Sequence, residues 1–161
     1  MAANQEQSLL EAAAALLGQA RNAVLATTAG SQPYASLVTP ALDDAARPIL
    51  LLSSLAAHTG HLRANPRCAL FISGLPTTSN PQTTPRLCLM GMAGLVAAET
   101  VQALYLRAHP YAAAYAGFSD FNFWRLEIFE IKFIGGFAQA RDLDFLALQH
   151  EVFKNRMAAN G

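Results

Sequence analysis

Alternation of apolar and polar positions predicts a series of short β-strands joined by turns. The turns AGSQP at 29–33 and DDAARP at 43–48 are short, so the strands they join are expected to run antiparallel. Six strands are predicted, over 22–28, 34–42, 49–54, 67–74, 86–98 and from Trp124 onwards.

The last strand changes the face that carries its apolar residues. These lie at positions 124, 126 and 128 in its first half, and at 129, 131 and 133 in its second half. A period of two shifts by one residue only at a bulge or where the buried face changes. Long strands of this kind are common in sheets that curl into a barrel. In the strand over 86–98, Gly91 and Gly94 indicate a bend or a close backbone approach.

Helical periodicity appears at both ends of the chain and in two connections between strands. Helices are predicted over 5–20, 55–64, 99–116 with an interruption at Pro110, and about 142–158 with Asp142 as the N-cap. The chain is therefore mainly β within the α+β class, and a small β-barrel decorated by helices is expected.

Composition narrows the class of protein. The 161 residues suit a single domain over 1–161, and 53% of them are hydrophobic while only 14% are charged. Soluble domains carry about 25% charged residues, so we expect some of the apolar surface to pack against a second subunit. The formal net charge is +0 and there is no basic block, which argues against nucleic acid as a partner.

Membrane insertion and secretion are not expected. No run of about 20 residues is continuously apolar, and no basic segment precedes the alanine-rich stretch that begins at Leu9. Cys68 and Cys88 lie in apolar strands and form no CxxC motif, so they are predicted to be buried free thiols. A reducing, cytoplasmic compartment fits this pattern best.

The junction between the third strand and the following helix is the best candidate for a binding site. A helix N-terminus offers unpaired N–H groups, and the hydroxyls of Ser53 and Ser54 add donors there. Thr59 and Arg63 are four residues apart and are expected to share a helix face. These groups could hold a phosphate; alternatively, Ser54 only caps the helix and Arg63 is solvated.

Two histidines in the same helix have a spacing found in metal sites. His58 and His61 are three residues apart, but no third ligand stands near them in the sequence. We therefore predict no zinc or other metal ion bound by this pair.

Four segments, in order along the chain, resemble those of the pyridoxamine 5'-phosphate oxidase-related, FMN-binding split-barrel family. The resemblance spans about residues 9–145 and is strongest to the haem-utilisation branch, which typically has HT-x-x-L-R-x-N-P-R and GGF-x-x-A-R strings. The segments are SQPYASLV, LSSLAAHTGHLRANPRCALFI, TPRLCLMGMAGLV and YLRAHPYAAAYAGFSDFNFWRLEIFEIKFIGGFAQAR.

The resemblance implies a homodimer of six-stranded antiparallel split β-barrels with flanking helices, with FMN at the subunit interface. Gly136 and Phe137 are implied to approach the flavin ring from the partner chain. Arg63 joins the site from helix geometry rather than from the family. The other cofactor-binding positions implied are Ala35, Ser36, Leu37, Val38, Ser53, Ser54, His58, Thr59 and Arg86.

The sequence departs from pyridoxamine phosphate oxidase itself. Tyr34 and Thr39 stand where that enzyme has an Arg and a Lys bracketing the second-strand motif, and His58-Thr59 replaces its Arg-Lys pair. A substrate phosphate would be poorly neutralised, so oxidation of vitamin B6 is not expected. The function expected is that of a flavin-dependent oxidoreductase acting on an unidentified small molecule, with unknown catalytic residues.

Two other functions on the same fold remain open. One is a haem-binding or haem-degrading protein, with His150 as the iron ligand and Asp120 or Glu151 holding its imidazole. The other is a carrier of flavin or haem without turnover. Fold alone does not separate these functions.

Overall fold

A computed structural model describes residues 2–136 and 140–159 of the chain. All six predicted strands and all four predicted helices are present, but the strand predicted over 34–42 is divided into two at Thr39 and Pro40, and one short strand follows the last predicted strand. The helices are α1 (Ala2–Gln19), α2 (Ala57–Ala64), α3 (Ala98–Ala108) and α4 (Phe145–Ala159). The strands are β1 (Ala23–Ala29), β2 (Gln32–Val38), β3 (Ala41–Leu42), β4 (Pro48–Ser53), β5 (Arg67–Ser73), β6 (Arg86–Leu95), β7 (Phe121–Ile134) and β8 (Ala140–Asp142).

The strands form one antiparallel sheet whose two edges are neighbours in the sequence. The order across the sheet is β2-β1-β5-β6-β7-β4-β3, and β8 pairs with the second half of β7. Only Thr39 and Pro40 separate edge strand β2 from edge strand β3. This link spans at most about 11 Å, so the sheet must curl until its edges almost meet. The expected barrel is confirmed, in an open form with eight strands rather than six.

Two apolar cores lie on opposite faces of β4. Leu50 and Leu52 face the inside of the barrel, where α1 and α4 close the main core. Ile49 and Leu51 face the other side, where α3 covers them with Val101 and Tyr105. Burial on both faces explains why this strand is continuously apolar rather than alternating.

A different part of the outer sheet face is not covered by any described helix. Val24 pairs with Leu37 on one side and with Phe71 on the other, and all three side chains point away from the barrel core. Their exposed fractions are 38% for Val24, 73% for Leu37 and 38% for Phe71, and Met92 on β6 is 37% exposed. We call these four residues the open face.

The change of face predicted for the last strand is confirmed as a β-bulge. Met90 pairs with Glu130 and Gly91 pairs with Ile128, so Phe129 is the extra residue. Phe129 was expected on the buried face, but it is 62% exposed because the bulge turns it outward.

The start of the last helix differs from the prediction. Asp142 lies in β8 and forms an ion pair with Lys132, and the helix begins three residues later, at Phe145. Asp144 is the residue that caps it, since its carboxylate accepts a hydrogen bond from the backbone N–H of Ala147 at 2.9 Å.

Both cysteines are free and only partly buried. Burial raises the pKa of Cys68 to about 11 and also raises the pKa of Cys88. Within residues 2–136 and 140–159, no helix is long and apolar enough to cross a bilayer.

Gly91 is expected to be essential for the bulge, because a Cβ at this position would overlap the backbone carbonyl oxygen of Glu127. Gly91→Ala should lower the free energy of unfolding by about 3 kcal/mol. Gly94→Ala is the matched control, since a Cβ there meets nothing within 4 Å. Urea unfolding of both variants measures the difference, and equal stabilities would contradict the close approach at Gly91.

Candidate functional site

The predicted site residues of β2 lie on both faces of the strand. Ser36 and Val38 point toward the barrel and α2, whereas Ala35 and Leu37 point outward, Leu37 into the open face. Because side chains alternate along a strand, one ligand on one face can contact only half of this segment through its side chains. The segment therefore splits between the α2 side and the open face.

The junction that follows β4 is already satisfied by groups of the chain itself. The Ser53 hydroxyl donates to the carboxylate Oδ2 of Asp120 at 2.7 Å and accepts from the N–H of Leu55 at 3.1 Å. The Thr59 hydroxyl donates to the carbonyl oxygen of Ser53 at 2.7 Å. The N–H of Ser54 donates to the carbonyl oxygen of Asp120 at 2.7 Å. The hydroxyl protons of Ser53 and Thr59, two of the three hydroxyls expected to bind a phosphate, thus have an acceptor within the chain.

Asp120 brings a negative charge to this junction. An anionic side chain close to a helix start is favoured by the partial positive charge of the unpaired N–H groups. The Asp120 carboxylate therefore occupies the donor of the Ser53 hydroxyl, and it would repel an anion brought to this junction. The sequence did not reveal this contact, because Asp120 and Ser53 are 67 residues apart.

Helix α2 begins two residues later than predicted, and its arginine does not join the junction. Its N-cap is Ala56, which offers no side-chain hydrogen bond, so Ser54 is not the cap. Thr59 is fully buried, whereas Arg63 is exposed. Thr59 faces the barrel together with Leu62, whereas the Arg63 side chain is exposed to solvent one turn later.

The side of α2 that approaches β1 and β2 carries two imidazoles. Nδ1 of His61 lies 3.0 Å from the Thr27 hydroxyl, and the ring of Tyr34 meets the His61 ring edge-on with centroids 5.0 Å apart. His58 is partly buried one turn earlier. Burial, with a smaller contribution from the charge on His61, lowers the pKa of His58, so this imidazole is neutral at physiological pH.

Two buried polar atoms on these elements have no hydrogen-bond partner within the described part of the chain. They are Nε2 of His58 and Oγ of Ser36. Leaving such an atom unpaired costs about 1–3 kcal/mol, so a ligand that supplied a partner would recover this energy. We call His58, His61 and Ser36, with Thr27 and Tyr34, the imidazole site.

The predicted site residue Arg86 lies away from the imidazole site. Arg86 donates to the carbonyl oxygens of Gln82 and Thr84, at 2.9 and 3.1 Å. The strand register places it level with the start of β1, roughly 16 Å along the strand direction from Thr27. Arg86 therefore supports the loop before β6 and is not brought to the imidazole site of the same chain.

The C-terminal candidates are also separate from that site. His150 is exposed on α4, and no hydrogen bond joins it to Asp120 or Glu151 in the described ranges. Glu151 instead accepts from Gln7 and Lys154, both at 2.9 Å. Gly136 is partly buried after β7, and Phe137 lies outside the described residues.

Comparison with known proteins places the whole of this architecture in one family of barrels. The family model described as CREG, beta-barrel matches residues 8–147. The non-canonical heme oxygenase HOZ, chloroplastic, of Arabidopsis thaliana is 40% identical over 111 residues, which is 67% of this chain and 33% of that protein. The chain thus spans about a third of the length of this curated relative.

Solved structures share the fold. A heme binding protein from Mycobacterium smegmatis superposes with a TM-score of 0.80 and 27% identity, covering 88% of this chain and 60% of that one. A candidate pyridoxamine 5'-phosphate oxidase from Listeria innocua gives a TM-score of 0.61 with 19% identity, covering 80% of this chain and 99% of that one. At that identity the second similarity shows the fold alone.

The junction residues do not fit the phosphate of FMN, and Asp120 is the main reason. Asp120→Asn removes the negative charge, so we expect the variant to bind FMN several-fold more tightly than the parent chain. The measurement is a fluorescence-quenching titration of FMN against both proteins. Asp142→Asn, which removes an exposed carboxylate elsewhere, is the control and should leave FMN binding unchanged. Equal FMN affinities for Asp120→Asn and the parent would contradict the repulsion.

Proposed function

The chain belongs to the CREG beta-barrel family, and on that premise we propose that it is a haem-binding protein in which His58 ligates the iron. The observation that carries this proposal is the state of the His58 imidazole: neutral, and with an Nε2 atom that lacks a hydrogen-bond partner in the described residues. Neutral imidazole is the form that ligates haem iron in many proteins.

The neighbours of His58 suit a ligand with a large apolar body. Leu55 is 86% exposed just before α2, and Tyr34 is 42% exposed on the adjacent edge strand. His61 is held in place by Thr27 and Tyr34, and it helps to keep the His58 imidazole neutral. Arg63, exposed on the same helix, is the cation available to a carboxylate of the ligand. Bound haem would supply an iron centre that accepts electrons and exchangeable ligands.

Relatives support haem over flavin. The Arabidopsis relative is named a heme oxygenase, and the mycobacterial structure is named a heme binding protein. A flavin-dependent oxidoreductase, which the sequence favoured, needs an anchor for the FMN phosphate. Here the hydroxyl protons of Ser53 and Thr59 already have acceptors, and Asp120 adds a negative charge. Haem binding requires none of these three groups.

Replacing the proposed iron ligand should abolish specific haem binding. His58→Ala should weaken haemin binding at least tenfold, about 1.4 kcal/mol, and shift the Soret band, because the iron loses its imidazole ligand. His150→Ala is the matched control and should leave the haemin affinity and the Soret band unchanged. Because the pKa of His58 is lowered, the parent's Soret band should persist as the pH falls through about 6.5, where an ordinary histidine gains its proton. A Soret band lost in His150→Ala but kept in His58→Ala would transfer the ligand to α4.

The open face supports a homodimer as the functional unit. Four apolar side chains on adjacent strands remain exposed there, from Leu37 at 73% to Met92 at 37%. Soluble monomers rarely leave a contiguous apolar sheet face in water, and a two-fold interface would cover the same patch on both copies. We therefore propose that the partner is a second copy of this chain. Leu37 of the open face and Ser36 of the imidazole site are adjacent residues on edge strand β2. A dimer over the open face would therefore bring the second copy beside the edge of the imidazole site.

A charge at the centre of the open face should dissociate the dimer. Sedimentation equilibrium of the parent should give twice the 17.2 kDa of the chain. Phe71→Glu should give a folded monomer, because two buried carboxylates would face each other across the two-fold axis. Leu146→Glu changes a 70% exposed leucine on α4 and should remain dimeric. A monomeric parent, or a Phe71→Glu variant that stays dimeric, would refute this interface.

A further inference from the structure

A groove of about 810 Å³ lies on the helical side of the molecule, away from the imidazole site. Its walls are the C-terminal end of α1, the ends of α3 and α4, and the short edge strand β3. The five residues of the imidazole site do not line it. Ligand sites in proteins commonly have volumes of about 300–1,000 Å³. The groove is therefore large enough for a small organic molecule.

Three guanidinium groups line this groove, which we call the arginine groove. They belong to Arg21, Arg107 and Arg156. Arg156 donates to the carbonyl oxygens of Asp43 and Leu42, at 3.0 and 3.3 Å. Across residues 2–136 and 140–159, Arg21 and Arg107 have neither a hydrogen bond nor an ion pair through their side chains. One carboxylate, Asp44, is also present, so the groove carries a net positive charge.

The same groove has an apolar wall. Leu17 of α1 and Val152 of α4 are both 2% exposed, and Ala14 and Ala41 are also buried. Leu104 of α3 completes this wall. Apolar surface beside a few placed charges is the usual composition of a small-molecule site.

We propose that the arginine groove binds an apolar organic anion, with its carboxylate or sulfonate paired to Arg21 and Arg107. Guanidinium forms two parallel hydrogen bonds with such groups, which favours an anion over an uncharged molecule of the same shape. The apolar wall would hold the body of the ligand. This site is independent of the proposed haem site, because its residues are different and lie on different elements.

The alternative role of these arginines is to stabilise helix ends. Arg107 and Arg156 lie in the last turns of α3 and α4, where a cation interacts favourably with the helix dipole. That role predicts a loss of stability on substitution, and no loss of ligand binding. The two roles are therefore separated by a binding measurement.

The probe is 8-anilino-1-naphthalenesulfonate, an apolar anion, compared with N-phenyl-1-naphthylamine, which lacks the sulfonate. Arg21→Gln/Arg107→Gln should weaken binding of the anionic probe at least tenfold and leave the uncharged probe unaffected. Arg67→Gln/Arg141→Gln removes the same charge from exposed positions outside the groove and should leave the binding of both probes unchanged. Fluorescence titration measures all affinities, and circular dichroism confirms that each variant is folded.

A steric variant tests the location independently of charge. A Cβ at Gly18, which lines the groove, meets nothing within 4 Å, so the side chain of Gly18→Leu can start without a clash and adds bulk at the groove. Gly18→Leu should weaken the binding of both probes. Gly117→Leu, where an added Cβ also meets nothing within 4 Å, should leave the binding of both probes unchanged. Unchanged binding in Gly18→Leu would place the probe elsewhere and overturn the proposal. Equal losses in the two arginine double variants would show a general charge effect and overturn it as well.

Discussion

The link between the two edges of the sheet determines the shape of this molecule. Thr39 and Pro40 join β2 to β3. The Tyr105 hydroxyl lies 2.9 Å from both the carbonyl oxygen and the hydroxyl of Thr39, and Nε2 of His109 donates to the carbonyl oxygen of Pro40 at 2.9 Å. Burial raises the pKa of Tyr105 to about 12, so its phenol remains a donor at any physiological pH. Helix α3 thereby fixes the link, and the link keeps the sheet curled.

The curl gives each element around the imidazole site its place. It leaves β2 as an edge strand beside α2, where the Tyr34 ring meets the His61 ring. Just before the start of α2, the Asp120 carboxylate accepts the hydrogen bond of the Ser53 hydroxyl from within the chain. A carboxylate of the chain itself therefore accepts the proton that Ser53 was expected to offer to a phosphate. The His58 imidazole, in contrast, is neutral and has an Nε2 atom without a hydrogen-bond partner in the described residues.

Local sequence patterns predicted most of the fold, and the contacts they missed are long-range. The resemblance to the split-barrel family is confirmed, and the phase shift in the last strand located the bulge at Phe129. Gly91 and Gly94 looked alike in sequence, but only Gly91 faces a backbone across the bulge. No local pattern indicates that Asp120 accepts the proton of Ser53, because the two become neighbours only when β7 pairs with β4. For that reason the sequence favoured an FMN phosphate where the structure has a carboxylate.

The proposed function requires that this barrel binds haem in preference to FMN. The most direct test is to incubate the parent chain with equimolar haemin and FMN together, desalt it, and record its absorbance spectrum. A retained Soret band without flavin bands is the predicted result, because Nε2 of His58 has no hydrogen-bond partner within the described residues and the Ser53 hydroxyl is occupied by Asp120. Retained flavin bands without a Soret band would contradict the claim and return the site to FMN.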